Sequence, residues 1–377
     1  MNVTCLKENL KRILNIISGI VGKNLTLPIL NNILIEAQEE GIKISATNLE
    51  IGLSAFVSGK IEKKGVLTVP AKTLTSFISN LPNKKIQLEA KKNILKISSD
   101  NYKAEINGLP AEEFPIIPKF SQKFSYKIPS ETLKEALSSV VSVAAISDSR
   151  PEITGVFLMF ENSKVLVAAT DSFRLAEKTI LLENKKESTK QEIKTILPQK
   201  TAQELTKILS ENTGKEVSIG FENNQIFLKI GDFQIVSRLI DGVYPDYQQI
   251  IPRESAFSLA LDKEELISSI RLASVFSSKI NETKFKFDLK RKKLTVSSAD
   301  PEVGTNESEI ALEVEKPETP SDKILEISFN HRFLLDGLNN LKGKKAIFSL
   351  NSETTPGVLR SASDSSYLYL LMPINAN

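Results

Sequence analysis

The sequence predicts an α+β protein written as three copies of one unit, each with two helices packed on antiparallel sheets. Three observations predict it. An apolar run broken by a polar turn recurs as Ile42-Lys43-Ile44-Ser45-Ala46-Thr47-Asn48-Leu49-Glu50, Val165-Leu166-Val167-Ala168-Ala169-Thr170-Asp171-Ser172-Phe173-Arg174-Leu175-Ala176 and Leu294-Thr295-Val296-Ser297-Ser298-Ala299-Asp300-Pro301-Glu302, at a period of about 125 residues. Helix-period segments and runs of short strands follow in the same order in each third. Two proline-bracketed segments, 109–118 and 244–252, both end Ile-Ile-Pro. At 377 residues the chain exceeds what one core usually serves, so the copies are read as domains at 1–119, 125–253 and 256–377.

The first copy opens with Leu6, Leu10, Ile13, Leu14, Ile17 and Val21 at helical spacing, with Lys7, Lys11 and Arg12 off that stripe and Lys23 beyond it. Strands are predicted over 29–37, 42–45 and 51–57. Val69-Pro70-Ala71-Lys72 then starts a helix, proline being favoured in a first turn, and Leu74, Phe77, Ile78 and Leu81 continue it to Pro82. Further strands run to Ile106. Three prolines exclude helix from 109–118.

The second copy repeats the order, with a helix over 130–145, strands from Val156 and Val165, Leu197-Pro198-Gln199-Lys200 opening the next helix, and strands from Val217. In the third, Asp262 is a good N-cap for a helix to Phe276, with Glu264 and Glu265 where the helix dipole favours acids. Phe329-Asn330-His331-Arg332 stands in register with Pro70-Ala71-Lys72 and Pro198-Gln199-Lys200, so a basic residue recurs at three helix starts. An apolar strand, 367–374, nearly ends the chain.

Several chemistries lack their residues. No G-x-x-x-x-G-K-[ST] or G-x-G-x-x-G loop occurs, and one His and one Cys cannot build a metal cluster or a disulfide. His331 reads as a surface helix-start residue, and no G-x-S-x-G elbow surrounds a serine. Glu112-Glu113 and Glu264-Glu265 are adjacent and point apart. A net charge of +3 permits a polyanionic partner without identifying one. Lys7, Glu8, Lys11 and Arg12 interrupt what a secretory signal would keep apolar, and no run nears the roughly 18 residues of a membrane span. The reading is a cytoplasmic protein without cofactor.

The chain resembles the bacterial sliding clamp family, the beta subunit of DNA polymerase III, from end to end. The resemblance rests on Thr26-Leu27-Pro28-Ile29-Leu30-Asn31-Asn32, Leu109-Pro110-Ala111-Glu112-Glu113-Phe114-Pro115, Ala169-Thr170-Asp171-Ser172-Phe173-Arg174-Leu175-Ala176, Asp241-Gly242-Val243-Tyr244-Pro245-Asp246-Tyr247 and Leu371-Met372-Pro373-Ile374. It implies three clamp domains per chain, and a head-to-tail homodimer closed as a ring around double-stranded DNA, tethering the polymerase irrespective of sequence. Helices would line the hole, with Lys7, Lys11, Arg12, Lys72, Lys200, Lys207 and Arg332 as candidate phosphate contacts. Loop tips at Lys23, Asn24 and 147–150, with Arg150, would touch tilted DNA.

The resemblance also implies a partner-peptide pocket between the second and third domains, serving polymerases, the clamp loader, and mismatch-repair and ligase-type proteins. Its matching positions are Ile153, Thr170, Ser172, Phe173, Arg174 and Leu175, then Pro245, Gln249 and Ile250, then Pro356, Val358, Leu370, Met372, Pro373 and Ile374. Phe173 stands where the family often has His, Gln249 where a basic residue is common, and Asn375-Ala376-Asn377 replaces a short basic tail. These departures alter the pocket's polar rim and leave its apolar floor. The subunit contact would join Val275 and Phe276 to an edge near Ile106. The alternatives are a repeat-built enzyme with an unrecognised site and a monomeric peptide-binding scaffold.

Overall fold

A computed structural model describes residues 1–377 except 23–25, 83, 162, 183–191, 317–322 and 375–377. Among the described residues the helices are α1 (Lys7–Ile20), α2 (Ala71–Asn80), α3 (Ser130–Val140), α4 (Gln199–Ser210), α5 (Lys263–Ser274) and α6 (His331–Asn340). None is long and apolar enough to cross a membrane.

The helix boundaries follow local chemistry. Leu6 belongs to the strand Asn2–Leu6, whose ladder to Lys85–Lys91 takes it out of the helical stripe. The buried face of α1 is Leu10, Ile13, Leu14, Ile17 and Ile20, and Lys7 shares it because it lies three and seven residues before Leu10 and Leu14. Pro70 is the last residue of the strand Gly65–Pro70 and caps α2 from outside, so the helix starts one residue later than its proline. The end of α3 tightens into a 3-10 turn at Val141–Val143. Asp262 Oδ1 accepts from Glu265 N at 2.9 Å and caps α5, and Asn330 Oδ1 caps α6 by accepting from Arg332 N at 3.0 Å.

Two compact units divide the chain, because strands of the central third join the sheets of both neighbours. The first unit spans 1–135 and 200–241. It holds a five-stranded sheet, Gly59–Lys63, Asn2–Leu6, Lys85–Lys91, Ile94–Ser99 and Tyr102–Asn107 in spatial order, and an eight-stranded one. In the latter, Tyr126–Pro129, Glu216–Glu222, Gln225–Ile230 and Phe233–Arg238 from the central third continue into Ile51–Val57, Gly41–Thr47, Asn32–Gln38 and Gly65–Pro70.

The second unit spans 136–182, 192–199 and 242–374 among described residues. Its twelve-stranded sheet orders Ile193–Pro198, Gly155–Phe160, Lys164–Thr170, Arg174–Leu181, Tyr367–Leu371, Gly357–Ser361, Lys345–Leu350, Phe257–Asp262, Gly304–Lys316, Lys293–Asp300, Glu282–Asp288 and Ile324–Asn330. Alternating apolar residues turn one face of these strands inward, where Phe285, Phe329, Phe348 and Phe287 form a chain of ring contacts. The final strand is thus paired with Arg174–Leu181, Leu175 facing Leu370.

Candidate functional site

The turn between Lys164–Thr170 and Arg174–Leu181 is closed by its own side chains. Thr170 Oγ1 donates to the Arg174 carbonyl at 2.7 Å and accepts from Ser172 N at 3.2 Å. Asp171 Oδ1 accepts from Phe173 N at 3.0 Å and Arg174 N at 2.9 Å. Ser172 takes the left-handed conformation that closes so short a loop, with φ 76°. Phe173 is left outside, 64% exposed, while Arg174 turns inward.

Arg174 is the hub of the site. Its Nε lies 2.9 Å from Asp171 Oδ2, its Nη1 2.5 Å from Asp336 Oδ2, and its Nη2 donates to the Ser142 carbonyl at 3.2 Å. The guanidinium sits 4.1 Å from the Phe333 ring centroid. Burial opposes its charge, and Tyr369, Asp336 and Asp171 outweigh burial, so its pKa is raised. Five donors in one plane suit this set of acceptors.

The strand register gathers part of the predicted pocket. Thr170 faces Leu175, Leu175 faces Leu370 and Leu370 faces Val358, one row across four strands. Ile153 is itself buried, and Phe157 stacks on Tyr244 at 4.7 Å. Tyr247 OH donates to Glu177 Oε2 at 2.6 Å, and burial together with that carboxylate raises the tyrosine's pKa. Pro245, Pro356, Pro373 and Ile374 are half-buried, whereas Ser172, Gln249, Ile250 and Met372 are exposed. Gln249 Nε2 donates to Asp246 Oδ2 at 2.8 Å. Met372 N donates to the Phe173 carbonyl at 2.8 Å, which lays Met372 beside the turn, and Ile374 N donates to the Ser328 carbonyl at 2.8 Å. Asp336 and Phe333 escaped sequence reasoning, since nothing local announces that a residue 162 positions away holds Arg174.

The basic candidates divide. Lys72, Lys200 and Arg332 are each the second residue of their helix and exposed. Lys207 is exposed and bonded to Glu204 at 2.8 Å, and Arg12 is bonded to Asp232 at 3.1 Å. Lys11 is half-buried. Arg150 donates from Nη1 to Ser172 Oγ at 3.0 Å and from Nε to Glu152 at 3.2 Å, fixing its loop to the turn. Lys7 corrects the expectation of a phosphate contact: it is 6% exposed, drawn under by the apolar face it shares. Lys23, Asn24 and the tail Asn375-Ala376-Asn377 lie outside the described residues.

Two further expectations need correction. His331 does begin α6, but it is buried rather than at the surface, its Nδ1 has no hydrogen-bond partner among the described residues, and burial lowers its pKa. Ile106 lies on the edge strand Tyr102–Asn107, yet its side chain is buried, so the edge offers backbone groups and not that side chain. Val275 is exposed and Phe276 half-buried, and Leu272, Ile280 and Val303, exposed around them, were not singled out from the sequence. The Phe276 ring lies against Gly304, where a Cβ would meet it at 3.7 Å.

Comparison with known proteins covers the whole chain. Family models match residues 1–118 as the DNA polymerase III beta subunit N-terminal domain, 127–246 as its central domain and 248–375 as its C-terminal domain. The beta sliding clamp of Bacillus subtilis is 28% identical over 385 residues, and that of Synechococcus elongatus 27% over 379, each covering 99% of both chains. The crystal structure of the Bacillus subtilis sliding clamp matches with a TM-score of 0.92 at 27% identity, over 100% of both chains. That of a Pseudomonas aeruginosa sliding clamp bound to griselimycin matches at 0.92 and 25%, again over 100% of both.

Proposed function

We propose a mode of action from one premise: this chain belongs to the DNA polymerase III beta subunit family, the bacterial sliding clamps. It is a DNA sliding clamp of three clamp domains, the subunit that tethers the replicative polymerase. Two copies join head to tail, the apolar patch at Val275 and Phe276 on one copy meeting the Tyr102–Asn107 edge of the other. A heterologous contact of this kind closes into a ring when the rotation per subunit completes a circle. The ring works in the cytoplasm as a processivity factor, without chemistry of its own.

The observation that carries this reading is the register of Lys72, Lys200 and Arg332, one exposed cation at the same position of a helix in every third. Phosphate contacts made by such cations, with Lys11, Arg12, Lys207 and Arg150, hold no base information and weaken with salt. That suits a ring that slides. The tether is topological and raises the polymerase's effective concentration at the template.

The cleft floored by Thr170, Leu175, Leu370, Val358 and Ile153, and rimmed by Ser172, Phe173, Arg174, Pro245, Gln249, Ile250, Pro356, Met372, Pro373 and Ile374, receives a short peptide from a polymerase, the clamp loader or a repair protein. Two or three apolar anchors at about 1.5–3 kcal/mol each, less the cost of ordering the peptide, give roughly micromolar affinity. Such partners exchange readily.

Loading the protein on a nicked circle and then linearising the DNA tests the ring. Protein that runs off the free ends supports topological linkage, and protein retained on the linear DNA overturns it.

A further inference from the structure

The turn at Thr47 repeats, bond for bond, the turn at Thr170. Thr47 Oγ1 donates to the Ile51 carbonyl at 3.0 Å and accepts from Leu49 N at 3.0 Å, and Asn48 Oδ1 accepts from Glu50 N at 3.0 Å and Ile51 N at 2.9 Å. Leu49 has φ 75° where Ser172 has 76°. Arg238 N donates to the Glu50 carbonyl at 2.9 Å, as Met372 N does to that of Phe173. The cross-strand row recurs as well: Thr47 faces Gly52, Gly52 faces Val236 and Val236 faces Phe227. It matches Thr170, Leu175, Leu370 and Val358 position by position.

One substitution in that row changes the site. Gly52 stands where Leu175 would, and a Cβ there would lie 2.8 Å from Ile117 Cγ2, so the closing segment of the first domain drops into the space a leucine fills in the other row. Beside it opens a cavity of about 300 Å³. Its aromatic wall is Phe120, stacked on Phe227 at 5.0 Å and tilted against Phe124 at 4.7 Å. Lys43, Lys119 and Lys229 line it and, among the described residues, no carboxylate does. Lys43 is shared with Glu36 at 3.5 Å, while Lys119 and Lys229 are exposed and form no ion pair among the described residues.

We propose that this cavity is a second peptide cleft, taking from a protein partner a short acidic segment that carries one apolar side chain. The shape argues for a peptide, because Val236 and Phe227, which line the cavity, hold the row positions of Leu370 and Val358 in the floor of the partner cleft. The charge argues for acid, because Lys119 and Lys229, which form no ion pair among the described residues, flank an apolar wall, while Lys43 is offset by Glu36. The volume is at the low end for ligand sites, enough for one or two side chains. Carboxylates seat on Lys119 and Lys229, and the apolar side chain lies against Phe120 and Val236.

The test uses the full chain and a chain ending at Leu371, which lacks the tail of the other cleft but keeps every residue of this one. The probe is fluorescein-labelled Asp-Asp-Leu-Phe-Asp-Asp, read by anisotropy. The shortened chain is expected to bind it saturably, with Kd below about 1 mM, and the Lys119→Glu/Lys229→Glu double variant to weaken that binding at least about tenfold. These positions are exposed, so circular dichroism will show both proteins folded. Absence of saturable binding overturns the proposal, as does binding that the double variant leaves unchanged. N-acetylphenylalanine is the control for a small carboxylate, and its binding as tightly as the peptide overturns the proposal too.

Discussion

Arg174 Nη1 lies 2.5 Å from Asp336 Oδ2, so a turn of the central third is held by α6 of the final third. Phe333, one helical turn before Asp336, stacks on the same guanidinium. Removing the cation strands Asp171 and Asp336 together, and Arg174→Ala is expected to cost about 3 kcal/mol in urea unfolding. Arg174→Lys should recover little, since a point charge cannot serve both carboxylates, a carbonyl and a ring. Asp336→Asn, at a more exposed position, should cost about 1 kcal/mol. A lysine variant as stable as the parent would remove the hub role.

The tail bonds from Met372 and Ile374 imply that the partner cleft needs residues past the last strand. Deleting 372–377 should abolish binding of a Leu- and Phe-bearing partner peptide and leave the dimer intact by sedimentation. Wild-type peptide affinity in the deletion would exclude the tail from the cleft.

Exposure separates the cations. Lys200→Glu and Arg332→Glu should weaken duplex binding whatever its sequence, each lowering the slope of log K against log salt by about 1. Lys7→Met should leave DNA binding untouched, because Lys7 is buried. Filter binding across a salt series distinguishes the two classes.

At the apolar patch, Val275→Glu places a charge in the proposed subunit contact. Sedimentation should then show one chain where the parent shows two, with the circular dichroism unchanged because Val275 is 65% exposed. A variant that stays dimeric moves the interface elsewhere.

The chain has a single histidine, which makes its titration separable. His331 is buried and its pKa lies below the ordinary 6.5. Below that ordinary value the unfolded chain takes up the proton first, so folded stability is complete above about pH 6.5 and falls as the pH drops toward the lower folded value. His331→Gln should flatten the fall in stability below about pH 6.5 in urea titrations. An unchanged slope would show that His331 does not titrate in this range.

Local rules made much of this legible. The recurring Thr-Asx turn, the Asp262 cap and the helix starts after Pro70 and Pro198 need only neighbours within a few residues, and all appear where the pattern put them, within a residue or two. Lys7 failed because a charged residue was placed by type, although its spacing from Leu10 and Leu14 already put it on the buried face. Leu6 failed because its ladder pairing with Lys85 outranked helical periodicity. The grip of Asp336 on Arg174, and the continuation of two sheets across the thirds, are long-range pairings with no local signature.

The pairing of Arg174–Leu181 with Tyr367–Leu371 also has a mechanical meaning. The last strand is antiparallel to its neighbours on both sides, so tension applied at residue 372 along the strand axis loads the two ladders in shear. Their hydrogen bonds resist together, whereas a pull across the strand would peel them one after another. A machine that tugs on the tail while moving along DNA would therefore be hauling against the strongest direction this sheet has.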